Sequence, residues 1–224
     1  TAALQSLVAS TVILTLLGVG YFFIEPQVGR AQDTSTFRIS QVITGEISFL
    51  VDAANTTLVG SLNGITGGTA TSSTYAVVQT NSSTGYTMNI RFATTSSGQA
   101  MEGENTASDS IHDYPASGGE PTFLFSTAST AAVFGYTVSA ADSSDLEQSF
   151  LDNGAACNTG SGYTADRCWM EPMFTNYQII DRDTDATTGA TTTIHFRVHV
   201  PNNPNPGLVA DTYTATATLT AANQ

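Results

Sequence analysis

Two hydrophobic periods divide the chain. Residues 1–24 carry no charge, and residues 7–24 (LVASTVILTLLGVGYFFI) are apolar except for Ser10, Thr11, Thr15 and two glycines. From Phe37 onward the dominant period is two. In residues 191–200 (TTTIHFRVHV), Ile194, Phe196, Val198 and Val200 alternate with Thr193, His195, Arg197 and His199. That pattern predicts a half-buried strand whose second set faces water. Residues 211–221 (DTYTATATLTA) repeat it, with Tyr213, Ala215, Ala217, Leu219 and Ala221 opposing five threonines. Further strands are predicted over 37–44, 46–51, 57–62, 74–80, 86–93, 122–126 and 133–140, separated by Gly, Asn, Ser and Pro clusters. Helical periodicity after residue 24 is confined to 143–151. The pattern predicts a mainly β chain: a hydrophobic α-helix over 1–24, a polar linker over 25–35, and an antiparallel β-sandwich of immunoglobulin-like or jelly-roll type over 36–224.

A helix of about 24 residues at roughly 1.5 Å each reaches about 36 Å, enough to cross a bilayer core. Three readings follow: an uncleaved signal peptide, a membrane anchor, or a helix that packs against copies of itself. Gly29-Arg30-Ala31 before Gln32 has the small residues of a signal cleavage site. Against that reading, the chain starts at Thr1 with neither an initiator Met nor a basic stretch. The expectation is that something upstream is removed and the apolar run is kept. Ala2, Ser6 and Ser10 repeat every four positions, which lines one helix face with small residues and permits close approach of neighbours. The competing reading is that Ala and Ser are common in any apolar segment. With Leu4, Leu7, Ile13, Leu14, Leu17, Tyr21 and Phe22 these residues form the expected polymerisation surface. Gly18 and Gly20 each cost about 1 kcal/mol of helix propensity relative to alanine.

An apolar helix at the mature N-terminus, ended by Glu25-Pro26 and followed by a head domain, resembles the layout of type IV pilins and the related archaeal pilins and flagellins. Members of the bacterial branch typically begin with phenylalanine and carry glutamate at the fifth position. Here Thr1 and Gln5 stand instead, which points to a more divergent or archaeal-like branch. The resemblance implies a helix held in the membrane before assembly and in the filament core afterwards. Residues 81–90, the Cys157–Cys168 loop and residues 207–221 also resemble a set of secreted, Thr-rich β proteins of uncultivated bacteria, which implies a surface location.

Composition narrows the function. The 224 residues have a mean hydropathy of zero and suit one globular head. Nineteen acidic residues against six basic ones give a net charge of -13, and all six basic residues are arginines: Arg30, Arg38, Arg91, Arg167, Arg182 and Arg197. No clustered basic surface is available for nucleic acid. Without lysine there is no phosphate-loop, pyridoxal or kinase chemistry, and no lysine–asparagine crosslink. Thirty-six threonines and 22 serines favour pleated, displayed surfaces.

Cys157 and Cys168 enclose ten residues, and a disulfide is expected there, stabilising by about 3 kcal/mol. A metal site is the alternative, but no Cys-x-x-Cys step or neighbouring histidine supports it. Trp169 is expected to pack on the bridge. Asp181, Asp183 and Asp185 alternate as at the start of a calcium loop, but Ala186 and Thr192 stand where that loop requires glycine and glutamate. They are weak calcium candidates, with an acidic solvated turn as the alternative. His195 and His199 on one strand lie about 13 Å apart, too far for one ion. His112 sits in an acidic loop from Glu102 to Glu120. Asn55 and Asn81 open N-x-[ST] sequences and are candidate glycosylation acceptors. No catalytic residue, resident metal or cofactor is expected, since no nucleophile elbow, metalloprotease or dinucleotide motif occurs. The expected function is a structural subunit of an extracellular, cell-surface filament, its partners copies of itself in a helical homopolymer and the membrane before assembly. The alternative is a membrane-anchored adhesion or carbohydrate-binding module, and a surface layer is a third arrangement.

Overall fold

The computed structural model describes residues 2–24, 35–126 and 130–224, with helix side chains described from 5 to 21. The linker proposed for 25–35, including Pro26 and the Gly29-Arg30-Ala31 step, lies outside the described residues except for Ser35, as does Thr1. Two compact units divide the chain, Thr1–Ile43 and Thr44–Gln224. The first holds helix α1 (Ala2–Ile24). Its hydroxyls turn back onto the helix: Ser10 Oγ donates to Ser6 O at 2.9 Å, Thr11 Oγ1 to Leu7 O at 2.6 Å and Thr15 Oγ1 to Thr11 O at 2.6 Å.

The second unit is built from ten strands: β1 (Ile47–Val51), β2 (Gly68–Thr80), β3 (Tyr86–Phe92), β4 (Met101–Gly103), β5 (Ser110–Asp113), β6 (Val133–Ala140), β7 (Tyr177–Arg182), β8 (Ala186–Val200), β9 (Tyr213–Ala215) and β10 (Ala217–Asn223). A seven-stranded sheet runs β1-β2-β8-β6-β5-β4-β9, and a three-stranded sheet runs β10-β3-β7. Their inner faces share one core. Val78, Val138, Ile194 and Val198 of the large sheet and Met88, Ile90, Phe92 and Ile180 of the small one belong to a single buried cluster. The Phe92 ring spans the two sheets, its centroid 5.9 Å from that of Phe134 and 5.4 Å from that of Tyr136. Each such buried side chain contributes about 1.5–3 kcal/mol relative to exposure.

The alternation in 191–200 predicts its strand correctly, and β8 extends it backward to Ala186. Gly189, at φ 91°, lies at the irregularity where β2 and β8 change register, a backbone conformation that a side chain would strain. The single strand expected over 211–221 is two. It breaks at Thr216, with β9 paired to β4 in the large sheet and β10 paired to β3 in the small one. Thr216 O accepts from Ala93 N at the crossing. The ladder is not wholly antiparallel, because β5 pairs with β6 in parallel.

Other expectations need correction. Residues 37–44 form no strand and are exposed, and the compact head begins at Thr44 rather than at 36. Residues 57–62 contribute only the bridge of Val59 to Thr71, and 122–126 only that of Thr122 to Trp169. Residues 143–151 hold two 3-10 turns, Ser143–Asp145 and Gln148–Phe150, instead of an α-helix. The acidic loop around His112 contains β4 and β5.

The outer face of the large sheet is also covered. Gly135 in β6 has no side chain, so Tyr114 lies directly over it; a Cβ there would sit 2.8 Å from that of Tyr114. Tyr114, Val133 and Trp169 form a second buried cluster with Phe125 against it. The Phe125 ring stacks on Tyr114 with centroids 4.6 Å apart and meets Trp169 edge-on at 5.0 Å.

Candidate functional site

Helix α1 presents an extensive exposed apolar surface. Leu7, Val8, Val12, Ile13, Leu14, Leu16, Leu17, Val19 and Tyr21 are all exposed, Leu14 by 74%. They fall on every side of α1, where a surface helix of a globular protein shows a single apolar stripe. Such a helix is stable only when surrounded by apolar neighbours. The hydroxyls of Ser10, Thr11 and Thr15 do not oppose that burial, because they are satisfied within the helix and bring no unpaired donor with them. Of the residues proposed for polymerisation, Ser6, Leu7, Ser10, Ile13, Leu14, Leu17 and Tyr21 are exposed. The side chains of Ala2, Leu4 and Phe22 lie outside the described residues. Among the described residues no helix is long and apolar enough to cross a membrane, where the sequence alone suggests a span over 1–24.

Cys157 and Cys168 are joined in a disulfide. The bridge fits an oxidising, extracellular environment. The loop it closes is organised by Asp152, whose carboxylate is buried. Its Oδ1 accepts from Gly154 N at 2.7 Å and Thr164 Oγ1 at 2.8 Å, and its Oδ2 from Thr164 N at 2.7 Å. Burial works to raise this carboxyl, but the hydrogen bonds from Thr164 and Gly154 outweigh it and hold the group below the usual carboxylate range. The period-two reading gives no hint of this role. Trp169 does not follow its expected packing. Cys168 belongs to the main core and Trp169 to the outer one. The indole Nε1 donates to Asp166 O at 3.1 Å, and the Arg197 guanidinium lies 4.5 Å from the indole centroid and 5.1 Å from that of Phe125.

Arg197 and His195 were expected to face water. Both are half-buried, Arg197 beneath the rings of Trp169 and Phe125. His195 Nε2 is 2.9 Å from Ser139 Oγ, and His199 Nδ1 is 3.0 Å from Thr69 Oγ1. Desolvation pushes both imidazoles below their ordinary range, with Arg197 adding to the effect at His199.

The three aspartates are not brought together as ligands. Asp181 Oδ1 accepts from Gln224 Nε2. Arg182 bonds the loop carbonyls that calcium would use: its Nε donates to Thr184 O at 3.1 Å, and its Nη2 to Asp185 O at 2.8 Å. Its Nη1 pairs with Asp145. No group of three His, Cys, Asp or Glu side chains capable of holding a metal occurs among the described residues. The two glycosylation candidates differ. Asn55 is exposed, whereas Asn81 uses both ends of its amide, accepting from Glu46 N at 2.6 Å and donating to Thr44 O at 3.2 Å.

No protein-family model matches the chain, and no curated protein matches it.

Proposed function

We propose that this chain is a non-enzymatic structural subunit of an extracellular, pilus-like filament, polymerising through α1 and displaying an acidic head of the immunoglobulin-like or jelly-roll type. The observation that carries the reading is the helix: apolar on every side, exposed, and internally satisfied at the hydroxyls of Ser10, Thr11 and Thr15. Water is a poor surrounding for such a surface, and the helices of neighbouring subunits replace it without stranding the hydroxyls of Ser10, Thr11 or Thr15. Before assembly, the bilayer offers the same relief. The head's excess of acidic residues keeps filaments apart and makes their bundling responsive to salt and divalent cations.

The test is sedimentation of surface material in the absence of detergent. Wild-type filaments pellet intact, whereas Leu14→Arg combined with Leu17→Arg leaves the chain in the supernatant with its head folded. Pelleting filaments from that variant overturn the reading. Wild-type material that is released only by detergent, as single copies in micelles, supports a membrane-anchored adhesion or carbohydrate-binding module instead.

A further inference from the structure

The small sheet has one covered edge and one bare edge. On the β7 side, Leu146 bridges Ile180 and Glu147 N donates to Ile179 O at 3.1 Å. Strand β10 pairs with β3 alone, so its outer edge has no ladder among the described residues. Its C-terminal end comes close to the residue that precedes β1, where Thr80 Oγ1 of β2 lies within hydrogen-bond distance of Glu46 O at 2.8 Å and Asn223 Oδ1 at 2.6 Å. Alongside β10 lies a groove of about 420 Å³ that reaches Ile90, Phe92, Ile194 and Phe196, with Leu219 on its β10 wall. An edge of unpaired N–H and C=O groups beside an apolar groove is a template for another strand.

A strand that matches it exists in the same sequence. Residues 37–40 (FRIS) alternate as a strand should before Gln41 interrupts the pattern, and Phe37 is 83%, Ile39 84% and Ile43 82% exposed. In extended form Phe37, Ile39, Gln41 and Ile43 share one face, apolar at three of its four positions, and Arg38, Ser40 and Val42 the other. The segment has seven residues and so does β10. Charge is complementary: Arg38 makes the segment positive, whereas residues 44–224 carry seventeen acidic side chains against four arginines. Where the chain enters β1, Asn81 holds both Thr44 O and Glu46 N.

We propose that residues 37–43 of one copy add as a fourth strand to the β10 edge of a second copy, seating Phe37, Ile39 and Ile43 in its groove. This deepens the filament reading by giving the heads a link of their own, and it rests on that reading only for bringing copies side by side.

Ser40 is central in the segment and Thr220 is central in β10, both on outward faces, so they are paired whether the added strand runs parallel or antiparallel. The test crosslinks the full chain carrying Ser40→Cys and Thr220→Cys with a short bis-maleimide, the native cysteines being protected in their disulfide. Inter-chain dimers and higher ladders are expected, and adding Ile39→Asp cuts their yield at least tenfold. A product within one chain, or no inter-chain product, overturns the proposal; if filaments still sediment in that case, the helix reading stands without it. Inter-chain products from chains that form no filaments support strand addition and count against the helix reading. A yield unchanged by Ile39→Asp also overturns the proposal, because the groove would then play no part.

Discussion

Arg197 was expected in water and instead lies over two adjoining rings, so removing Trp169 should cost more than its volume. Trp169 is 1% exposed, and truncating a fully buried tryptophan to alanine costs about 3–5 kcal/mol. Part of that cost belongs to the guanidinium 4.5 Å from the indole centroid, a contact worth about 1–2 kcal/mol when desolvated. The Nε atom of Arg197 is buried with no hydrogen-bond partner among the described residues, so little else compensates the loss. Trp169→Ala should therefore lower the Tm of the head by about 10 °C, at roughly 2–4 °C per kcal/mol for a domain of this size. Trp169→Phe keeps a ring and loses the bond to Asp166 O, costing about 1 kcal/mol beyond the change in packing. Pairing each Trp169 change with Arg197→Met in a double-mutant cycle, read by urea denaturation, isolates the ring–cation contact. The coupling should be about 1–2 kcal/mol in favour of the native pair. A coupling near zero refutes the ring–cation argument, and a Tm loss of only a degree or two for Trp169→Ala refutes the packed outer face altogether.

Reduction of the Cys157–Cys168 bridge should destabilise the head by about 3 kcal/mol, seen as a lower urea midpoint in dithiothreitol, because a short loop in the unfolded chain regains its freedom. Asp113 supplies a pH test. Burial, opposed by the Ala100 N–H and reinforced by Glu171, pushes its carboxyl up to about 6. The folded state therefore keeps a proton that the unfolded state releases near pH 4, and this contribution is full below about pH 4 and lost as pH rises through 6. Asp113→Asn should stabilise the head at pH 7 by about 1 kcal/mol, the shift being discounted for solvent screening, and give no gain at pH 4; equal gains at both pH values refute the assignment. Millimolar calcium should leave the Tm of the head unchanged, since Arg182 holds the carbonyls of Thr184 and Asp185; a rise of several degrees that is abolished by Asp183→Asn would restore a calcium site.

Legibility of the fold followed the covering of each strand. Strand β8 was readable because its inner residues meet the core while most of its outer ones are polar. Strand β6 buries Val133 through Val138 on both faces, so its unbroken VFGYTV run signals cover on either side, and the alternation rule gives no clue to what supplies it. Strand β7 escaped notice because Ile179 and Ile180 are adjacent and both buried, made so by the register shift against Met88 and Asn89. No single-sequence period anticipates a bulge. In residues 37–44 the alternation of Phe37 to Ser40 suggested a strand, but it breaks at Gln41-Val42-Ile43 and the segment forms none. The helix was the most legible element, since an uncharged apolar run needs no tertiary information to be recognised. The outer cluster was the least legible, because it joins Tyr114, Phe125, Trp169 and Arg197 across more than eighty residues of sequence.

The central claim is that the surface of α1 is surrounded by copies of itself in the assembled molecule. Its most direct test is the labelling of single cysteines at Leu14 and Leu17 by a water-soluble maleimide in filaments released without detergent, with Val59→Cys on the exposed head as reference. The account predicts rapid modification at position 59 and protection at 14 and 17 until the filaments are dissolved. Equal labelling at all three positions in intact filaments would contradict it.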